Sequence, residues 1–207
     1  MNRDDPVSGG SRADDDAQSG DAGVSIAFTH RVPDGDSLPR AVCDTCGFVN
    51  YVNPKIVVGS VVTYEDRFLL CRRAIEPRRG FWTLPAGFME EKETSEAGAA
   101  REAMEEANAE IEIRDLLAVY NIPRISQVQL MYRARLLNPN VSAGVESLEV
   151  AFFTWDEIPW NELAFPSVYW ALNQFRSVMN EERIVPFGNP VSDMGNDLPR
   201  RDRGREA

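Results

Sequence analysis

The sequence predicts an α/β protein in which a mixed β-sheet lies between helices. Several short segments are rich in β-branched and apolar residues, which is typical of strands. One segment without proline is rich in alanine and glutamate, and another is amphipathic, as expected for helices. These segments alternate irregularly along the chain, and this favours an α/β/α sandwich over an all-parallel sheet.

The first two predicted strands are Lys55–Tyr64 and Arg67–Arg72. Both are apolar and β-branched, and only Glu65 and Asp66 separate them. Two strands joined by so short a polar turn predict a β-hairpin.

The remaining elements follow in order. Thr94–Ala107 is rich in alanine and glutamate and lacks proline, which predicts the first helix. Three further strands are predicted at Ile111–Tyr120, Gln127–Leu137 and Leu148–Trp155. Pro166–Met179 is amphipathic and predicts the second helix.

The 207 residues are enough for one packed domain with tails. Residues 1–24 are rich in Asp, Gly and Ser and are predicted to form a disordered acidic tail. Residues 25–54 are expected to form a short N-terminal segment, residues 55–185 the main domain, and residues 186–207 a C-terminal tail.

Composition excludes several classes of function. The chain carries 33 acidic against 22 basic residues, a formal charge of −11, and such a field repels nucleic acid. No apolar run approaches the roughly 20 residues of a membrane span, and no signal peptide is visible. Three cysteines, Cys43, Cys46 and Cys71, cannot all pair and fit a reducing compartment. We expect a cytoplasmic protein that binds a small-molecule nucleotide substrate and neither nucleic acid nor a membrane. A homodimer is possible.

The most informative residues are three glutamates of the first predicted helix. Glu102, Glu105 and Glu106 are spaced i, i+3 and i+4, within an arc of about 100°. Carboxylates so close repel one another unless cations neutralise them, and hard divalent ions bind through a few carboxylates. The alternative is a solvated acidic face on which Arg101 and Glu105 form an i, i+4 pair.

The same helix predicts how it packs. Gly98 lies one turn before Glu102, and we expect it to leave room for a metal–phosphate group. The opposite face carries small residues and one methionine, and we expect that face to pack on the sheet. These residues are Ala97, Ala100, Met104 and Ala107.

The stretch from Gly87 to Ala109 resembles the Nudix box, G-x5-E-x7-R-E-U-x-E-E-x-G-U, in which U is aliphatic. Asn108 departs from the box, because it stands at the second glycine, where we expect a left-handed helix end. The fixed positions are filled in register by Gly87, Glu93, Arg101, Glu102, Glu105 and Glu106, and the aliphatic positions by Ala103 and Ala109. The resemblance implies the Nudix fold and metal-dependent hydrolysis of a nucleotide's diphosphate bond.

The resemblance also implies residue roles. Glu102, Glu105 and Glu106 would bind Mg²⁺ or Mn²⁺, and the Gly87 carbonyl would add a ligand. Arg101 and Glu93 would fix the loop against the helix, and Trp82–Gly87 would deliver the loop as an extended lead-in. The residues expected to act in catalysis are Glu105, Glu106, Glu146 and Arg101.

A further carboxylate often comes from outside the box, and Glu146 and Glu149 are candidate metal ligands. We prefer Glu146 as ligand or base. Either residue could instead be an ordinary carboxylate at the end of a strand.

The resemblance extends from about Val32 to Arg183 and is closest to the branch that acts on FAD, ADP-ribose and NADH. The array SQPWPFPxS, which marks NADH pyrophosphatases, is absent, and this lowers NADH as a substrate. Supporting stretches are Asn53–Gly59, Leu70–Pro77, Tyr120–Gln127, Gly144–Leu148 and Glu157–Ser167. We expect hydrolysis of FAD to FMN and AMP, with ADP-ribose as the runner-up.

Residues after the third predicted strand combine stacking with hydrogen-bonding capacity, which suits an adenine or flavin ring. Trp160 and Phe165 could form a second apolar wall, or these aromatic residues could simply be core. The predicted substrate-binding residues are Tyr120, Arg124, Ser126 and Gln127.

Two alternatives remain from the sequence. Cys43 and Cys46, followed by Gly47, resemble one knuckle of a zinc ribbon, but the second cysteine pair is missing and only His30 is available nearby. A vestigial knuckle with free thiols is the preferred interpretation.

The other alternative is a Nudix-fold sensor that binds a nucleotide without cutting it. The complete set of glutamates argues against this alternative.

Overall fold

Residues 26–191 and 193–195 are described by the computed structural model, and the predicted tail at residues 1–24 lies outside them. The chain divides into two compact units between Val52 and Asn53. In the first unit, β1 (Phe28–Arg31), β2 (Arg40–Cys43) and β3 (Val49–Asn50) form an antiparallel sheet in the order β1-β2-β3.

The second unit contains the other strands and both helices. Its strands are β4 (Lys55–Tyr64), β5 (Arg67–Arg73), β6 (Trp82–Thr83), β7 (Ala86–Phe88), β8 (Ile111–Ile122), β9 (Gln127–Leu136) and β10 (Ser147–Phe153). Its helices are α1 (Ser95–Ala107) and α2 (Pro166–Val178), with 3₁₀ turns at Pro123–Ile125, Trp155–Glu157 and Trp160–Glu162.

The sheet of the second unit is mixed, as predicted. Its order is β10-β5-β4-β9-β8, with β6 added to β5 and β7 added to β4. Strands β4 and β9 are parallel and the other pairs are antiparallel. The predicted hairpin is confirmed, but β4 and β5 pair only at the turn. Beyond it, β4 pairs with β7 from Val57 to Gly59, so the strand that leads to α1 is attached to the middle of the sheet.

The two helices cover opposite faces of this sheet. Neighbouring residues of a strand point to opposite faces, and Val61 and Val62 of β4 belong to different core clusters. Val61 packs with Val168, Leu172 and other residues of α2, whereas Val62 packs with alanines of α1. The predicted α/β/α sandwich is confirmed.

The predicted packing face of α1 is confirmed for Ala107, which is fully buried, but is wrong for Ala97 and Met104. Ala97 and Met104 are exposed, and Met104 keeps 44% of its surface in solvent. The buried residues of the helix are Gly98, Ala99, Glu102, Ala103, Glu106 and Ala107. Two of the glutamates therefore lie on the face that packs, because a stripe of small residues lets the helix approach the sheet closely while the carboxylates reach its edge.

The predicted C-terminal tail is wrong for the residues described up to Gly195. Phe187 hydrogen-bonds with β8, accepting from the Val119 amide at 2.9 Å and donating to the Leu117 carbonyl at 2.8 Å. Further on, the indole nitrogen of Trp170 donates to Asp193 at 3.0 Å. The polar composition of this segment indicated a solvated tail, but its backbone hydrogen bonds attach it to the edge strand.

Helix α1 is followed by Asn108, which adopts the left-handed conformation that the sequence predicts, with φ 47° and ψ 37°. The Asn108 side chain also donates to the carbonyl and hydroxyl oxygens of Ser142, at 3.1 and 3.0 Å.

We expect Asn108→Gly to lower the free energy of unfolding by up to about 1 kcal/mol, because the loss of the two hydrogen bonds to Ser142 outweighs the conformational gain of glycine. Asn108→Val should cost about 2–3 kcal/mol, since it adds backbone strain. Urea unfolding of both variants measures this, and a Val variant as stable as the wild type would contradict it.

Candidate active site

Strand β7 and helix α1 place the glutamates beside a loop that the helix itself holds in place. The Thr94 hydroxyl caps the helix by accepting from the Ala97 amide at 3.2 Å. The Glu93 carboxylate turns back and accepts from the Glu90 amide at 2.7 Å. It fills the space beside Gly98, where a Cβ would lie 2.6 Å from Glu93 Oε1. That space was expected to receive a metal–phosphate group, and the expectation is wrong because Glu93 occupies it.

Arg101 uses every N–H of its guanidinium group within this region. Its Nε donates to Glu93 Oε2 at 3.1 Å, and its Nη2 donates to Glu93 Oε1 and to the Phe88 carbonyl, both at 3.0 Å. Its Nη1 donates to Glu102 at 2.8 Å and to Glu105 at 2.9 Å. The hydrogen bond from Arg101 holds the pKa of Glu93 below its usual range. Arg101 thus ties the loop, the helix and two glutamates together.

Glu106 and Glu102 are buried carboxyl groups, at 6% and 8% exposure. Burial raises the pKa of Glu106 to about 8, although a hydrogen bond from the Ala86 amide at 3.1 Å acts in the opposite direction. Burial also raises the pKa of Glu102, and the charge of Glu146 adds to both shifts. The fold therefore concentrates negative charge that a cation would stabilise.

Gly87 lets the loop approach these carboxylates. A Cβ at this position would overlap the Glu102 carboxylate and lie 2.5 Å from its Cδ atom. The backbone of β7 can pass so close to the helix only without a side chain, so its carbonyl groups stay near the glutamates.

The residues fit a hard divalent cation. The available donors are carboxylate and carbonyl oxygens, which Mg²⁺ and Mn²⁺ prefer. Within the described residues, no group of three His, Cys, Asp or Glu side chains is placed to hold an ion, and Arg101 donates hydrogen bonds to Glu102 and Glu105. Mg²⁺ needs only one or two carboxylates when water and substrate phosphates complete its shell, so the arrangement remains suitable.

One cavity of about 840 Å³ collects these groups in the second unit. Six glutamates line it, and Arg101 lies among them: Glu76, Glu90, Glu102, Glu105, Glu106 and Glu146. Other polar lining residues include Arg73, Arg124, Gln127 and Gln129. Apolar lining residues include Ile122, Ile125, Met131, Phe165 and Val168. The cavity is large enough for a nucleotide derivative and joins a charged part to an apolar part.

Two of the four predicted substrate-binding residues, Arg124 and Gln127, line this cavity. The prediction is wrong for Tyr120, which is fully buried, donates to the Gln174 side chain at 2.6 Å and packs edge-on against Trp170. Ser126 does not line it either, because its left-handed backbone, φ 50°, ends the 3₁₀ turn. Alternation along β8 directs Tyr120 toward α2.

Glu146 and Glu149, the two candidate ligands outside the Nudix box, differ in whether they line the cavity. Glu146 lines the cavity, and its carbonyl accepts from the Ala74 amide at 2.8 Å. The prediction of Glu149 as a ligand is wrong, because its side chain pairs with Arg72 at 3.4 Å and does not line the cavity. Glu146 comes directly before β10, and a register shift between Ser147 and Glu149 separates it from Glu149.

Sequence reasoning missed three residues of this region. Arg73 and Gln129 line the cavity, and Gly144 packs against the end of α1, where its amide donates to the Glu106 carbonyl at 3.0 Å. The paired arginines at the end of β5 were a signal, but the sequence does not show which one faces the glutamates.

In the first unit, Cys43 ends β2 and Gly47 adopts φ 74° in the following turn. Backbone amides of Cys46 and Thr45 hydrogen-bond to the Cys43 sulfur and lower the pKa of its thiol. No third ligand joins this pair among the described residues.

We expect purified protein to hold well under one zinc per chain. Elemental analysis measures this, and stoichiometric zinc that is lost in Cys43→Ser would contradict it.

The chain is similar to proteins of one known family. The NUDIX domain family matches residues 53–171, and the family described as Nudix N-terminal matches residues 26–52. Among solved structures, a NUDIX hydrolase from Nitrosomonas europaea is 46% identical, with a TM-score of 0.76 over 81% of this chain and 96% of that one.

Curated relatives are more distant. An ADP-ribose pyrophosphatase of Methanocaldococcus jannaschii is 29% identical over 119 residues, which cover 56% of this chain and 69% of the relative. A MutT-like protein of Streptomyces ambofaciens is 36% identical over 102 residues, 49% of this chain and 64% of the relative. In the described part of the chain, neither helix has the length and apolarity needed to cross a membrane.

Proposed function

The chain belongs to the Nudix hydrolase family, and we propose that it hydrolyses the diphosphate bond of a nucleoside diphosphate derivative, with FAD as its first substrate. The observation that carries the proposal is the cavity, in which the glutamates, three arginines and an apolar wall meet. A diphosphate with a planar ring on one side matches that combination of charge and apolar surface.

Nudix hydrolases generally use divalent cations such as Mg²⁺ or Mn²⁺. In this chain Glu102, Glu105 and Glu106 would hold the cation, and the Gly87 carbonyl and Glu146 would offer further oxygen ligands. When bound, the cation neutralises the diphosphate and acidifies a water molecule.

Residues of the chain hold the acidic groups in position and accept the proton of the attacking water. Glu146 is proposed to accept the proton of the attacking water at a carboxylate oxygen, since it lines the cavity outside the Arg101 network. The Ala86 amide fixes the orientation of Glu106, and Arg101 fixes the loop that carries Gly87. These contacts set the positions of the acidic groups before substrate arrives.

The substrate choice rests on the apolar part of the cavity. Ile122, Met131 and Phe165 offer a surface suited to an aromatic ring, and Gln127 and Gln129 offer hydrogen-bonding groups at its edge. FAD has an aromatic ring at each end, whereas ADP-ribose has one. The relative from Methanocaldococcus jannaschii is named an ADP-ribose pyrophosphatase, and ADP-ribose is therefore the second candidate.

A substrate panel tests the proposal. Full-length protein is incubated with FAD, ADP-ribose, NADH and UDP-glucose, with Mg²⁺ or Mn²⁺, and the products are separated by chromatography. We expect FMN and AMP from FAD with the highest kcat/KM. A preference for ADP-ribose would select the second candidate, and no turnover of any diphosphate with either metal would overturn the proposed function.

A further inference from the structure

Arg73, the last residue of β5, holds its guanidinium group in a fixed position at the cavity wall. Its amide donates to the Phe81 carbonyl at 2.9 Å, and its Nε donates to the Pro77 carbonyl at the same distance. The guanidinium carbon lies 5.2 Å from the centroid of the Phe165 ring. Two restraints on one side chain reduce the entropy lost when it binds a ligand.

The rest of the guanidinium group remains available to a ligand. Neither Nη atom of Arg73 donates to another of the described residues, while the side chain lines the cavity together with Glu106 and Glu146. Arg73 lies close enough to Glu106 for its charge to lower the pKa of that carboxyl, against the larger effect of burial. The side chain that carries these free donors therefore lines the same cavity as the carboxylates.

Arg101 cannot supply the same contact. All five of its N–H groups are engaged by Glu93, Glu102, Glu105 and the Phe88 carbonyl. An anion that approached the glutamates would find saturated donors at Arg101 and unsaturated donors at Arg73. A guanidinium fork with two free nitrogens matches the geometry of phosphate oxygens.

We propose that Arg73 binds nonbridging oxygens of the substrate's diphosphate and so positions it beside the glutamates. The inference rests on the proposed diphosphatase function, because it assigns the anionic part of that substrate. The competing view is that Arg73 only neutralises Glu106 and holds the loop at Pro77. That view predicts a loss of stability without a selective loss of anion binding.

The test compares Arg73→Gln with Arg72→Gln by isothermal titration with inorganic pyrophosphate in the presence of Mg²⁺. Arg72 is a matched control: its Nε also donates to a backbone carbonyl, that of Gly80 at 3.1 Å, and its guanidinium also lies near an aromatic ring, but it does not line the cavity. We expect Arg73→Gln to weaken pyrophosphate binding about 10- to 100-fold and Arg72→Gln less than twofold. Arg73→Lys should fall between, because lysine keeps the charge without the fork.

Adenosine, which lacks phosphate, provides the second readout. Its affinity should stay within about twofold in Arg73→Gln, with an unchanged melting temperature. Wild-type affinity for pyrophosphate in Arg73→Gln, no pyrophosphate binding by the wild type, or an equal loss for adenosine and pyrophosphate would each overturn the inference. Binding does not require turnover, so pyrophosphate binding through Arg73 with no hydrolysis of any panel substrate would refute the proposed function alone.

Discussion

Replacing Glu106 with Gln is expected to lower kcat by on the order of 10² to 10⁴, the range for loss of a positioned metal ligand, acid or base. Gln keeps the shape and the helix propensity of Glu, so the Ala86 amide still finds an acceptor. Burial is the main cause that raises the pKa of Glu106, and the charges of Glu102 and Glu146 raise it further. Without metal, the variant should melt at the same temperature or slightly higher, because a buried and repelled carboxylate is gone.

The matched control is Glu96→Gln on the first turn of the same helix. Glu96 is exposed and does not line the cavity, so its kcat should stay within about twofold. Steady-state kinetics across a Mg²⁺ titration and thermal melts with and without EDTA make the comparison. Unchanged kcat with a lowered melting temperature in Glu106→Gln would show that the carboxylate is structural. Recovery at high Mg²⁺ would indicate a ligand that sets metal affinity, whereas a slow rate at saturation would indicate a base or an essential bridging ligand.

The secondary structure of the main unit follows from local patterns. Lys55–Tyr64 is a strand over the predicted range because its β-branched residues satisfy both faces of a covered sheet. The helix begins after Thr94 and ends at Asn108, since both ends depend on capping chemistry that the sequence displays. The strand predicted to end at Trp155 stops at Phe153, because Thr154 and Glu157 form a capping box that starts a 3₁₀ turn.

Tertiary relationships could be predicted only in part. Spacing brings Glu102, Glu105 and Glu106 together, because that depends on one helix alone. Which face of α1 packs depends on how closely the sheet approaches, and the composition of the helix did not reveal it. Tyr120 and Arg73 show the same limit, since a strand residue faces either the cavity or the core according to register, and register is set by distant partners.

Glu146 reaches the cavity through a loop that depends on Gly144. A Cβ on Gly144 would overlap the carbonyl oxygen of Glu105 and lie 2.8 Å from its carbonyl carbon. Both atoms belong to the backbone of α1, so no side-chain rotation relieves the overlap. The loop is also bonded to the helix end, where the Ser142 amide donates to the Ala107 carbonyl at 3.0 Å. The position of Glu146, two residues later, is therefore tied to the end of the glutamate helix.

Gly144→Ala should force this loop away from α1 and move Glu146 relative to Glu106. We expect a loss of about 1–3 kcal/mol of stability from the steric overlap, and a fall in kcat on the order of 10², the cost of displacing a catalytic group by about 1 Å. Gly188→Ala is the control, because no atom of the described residues other than its chain neighbours lies within 4 Å of where its Cβ would be, and it should leave both quantities nearly unchanged. Glu146→Gln separates the two effects, since it should reduce kcat without the loss of stability. Urea unfolding and steady-state kinetics of the three variants measure both quantities. A Gly144→Ala protein that unfolds more easily yet keeps full kcat would show that catalysis does not depend on the position of Glu146.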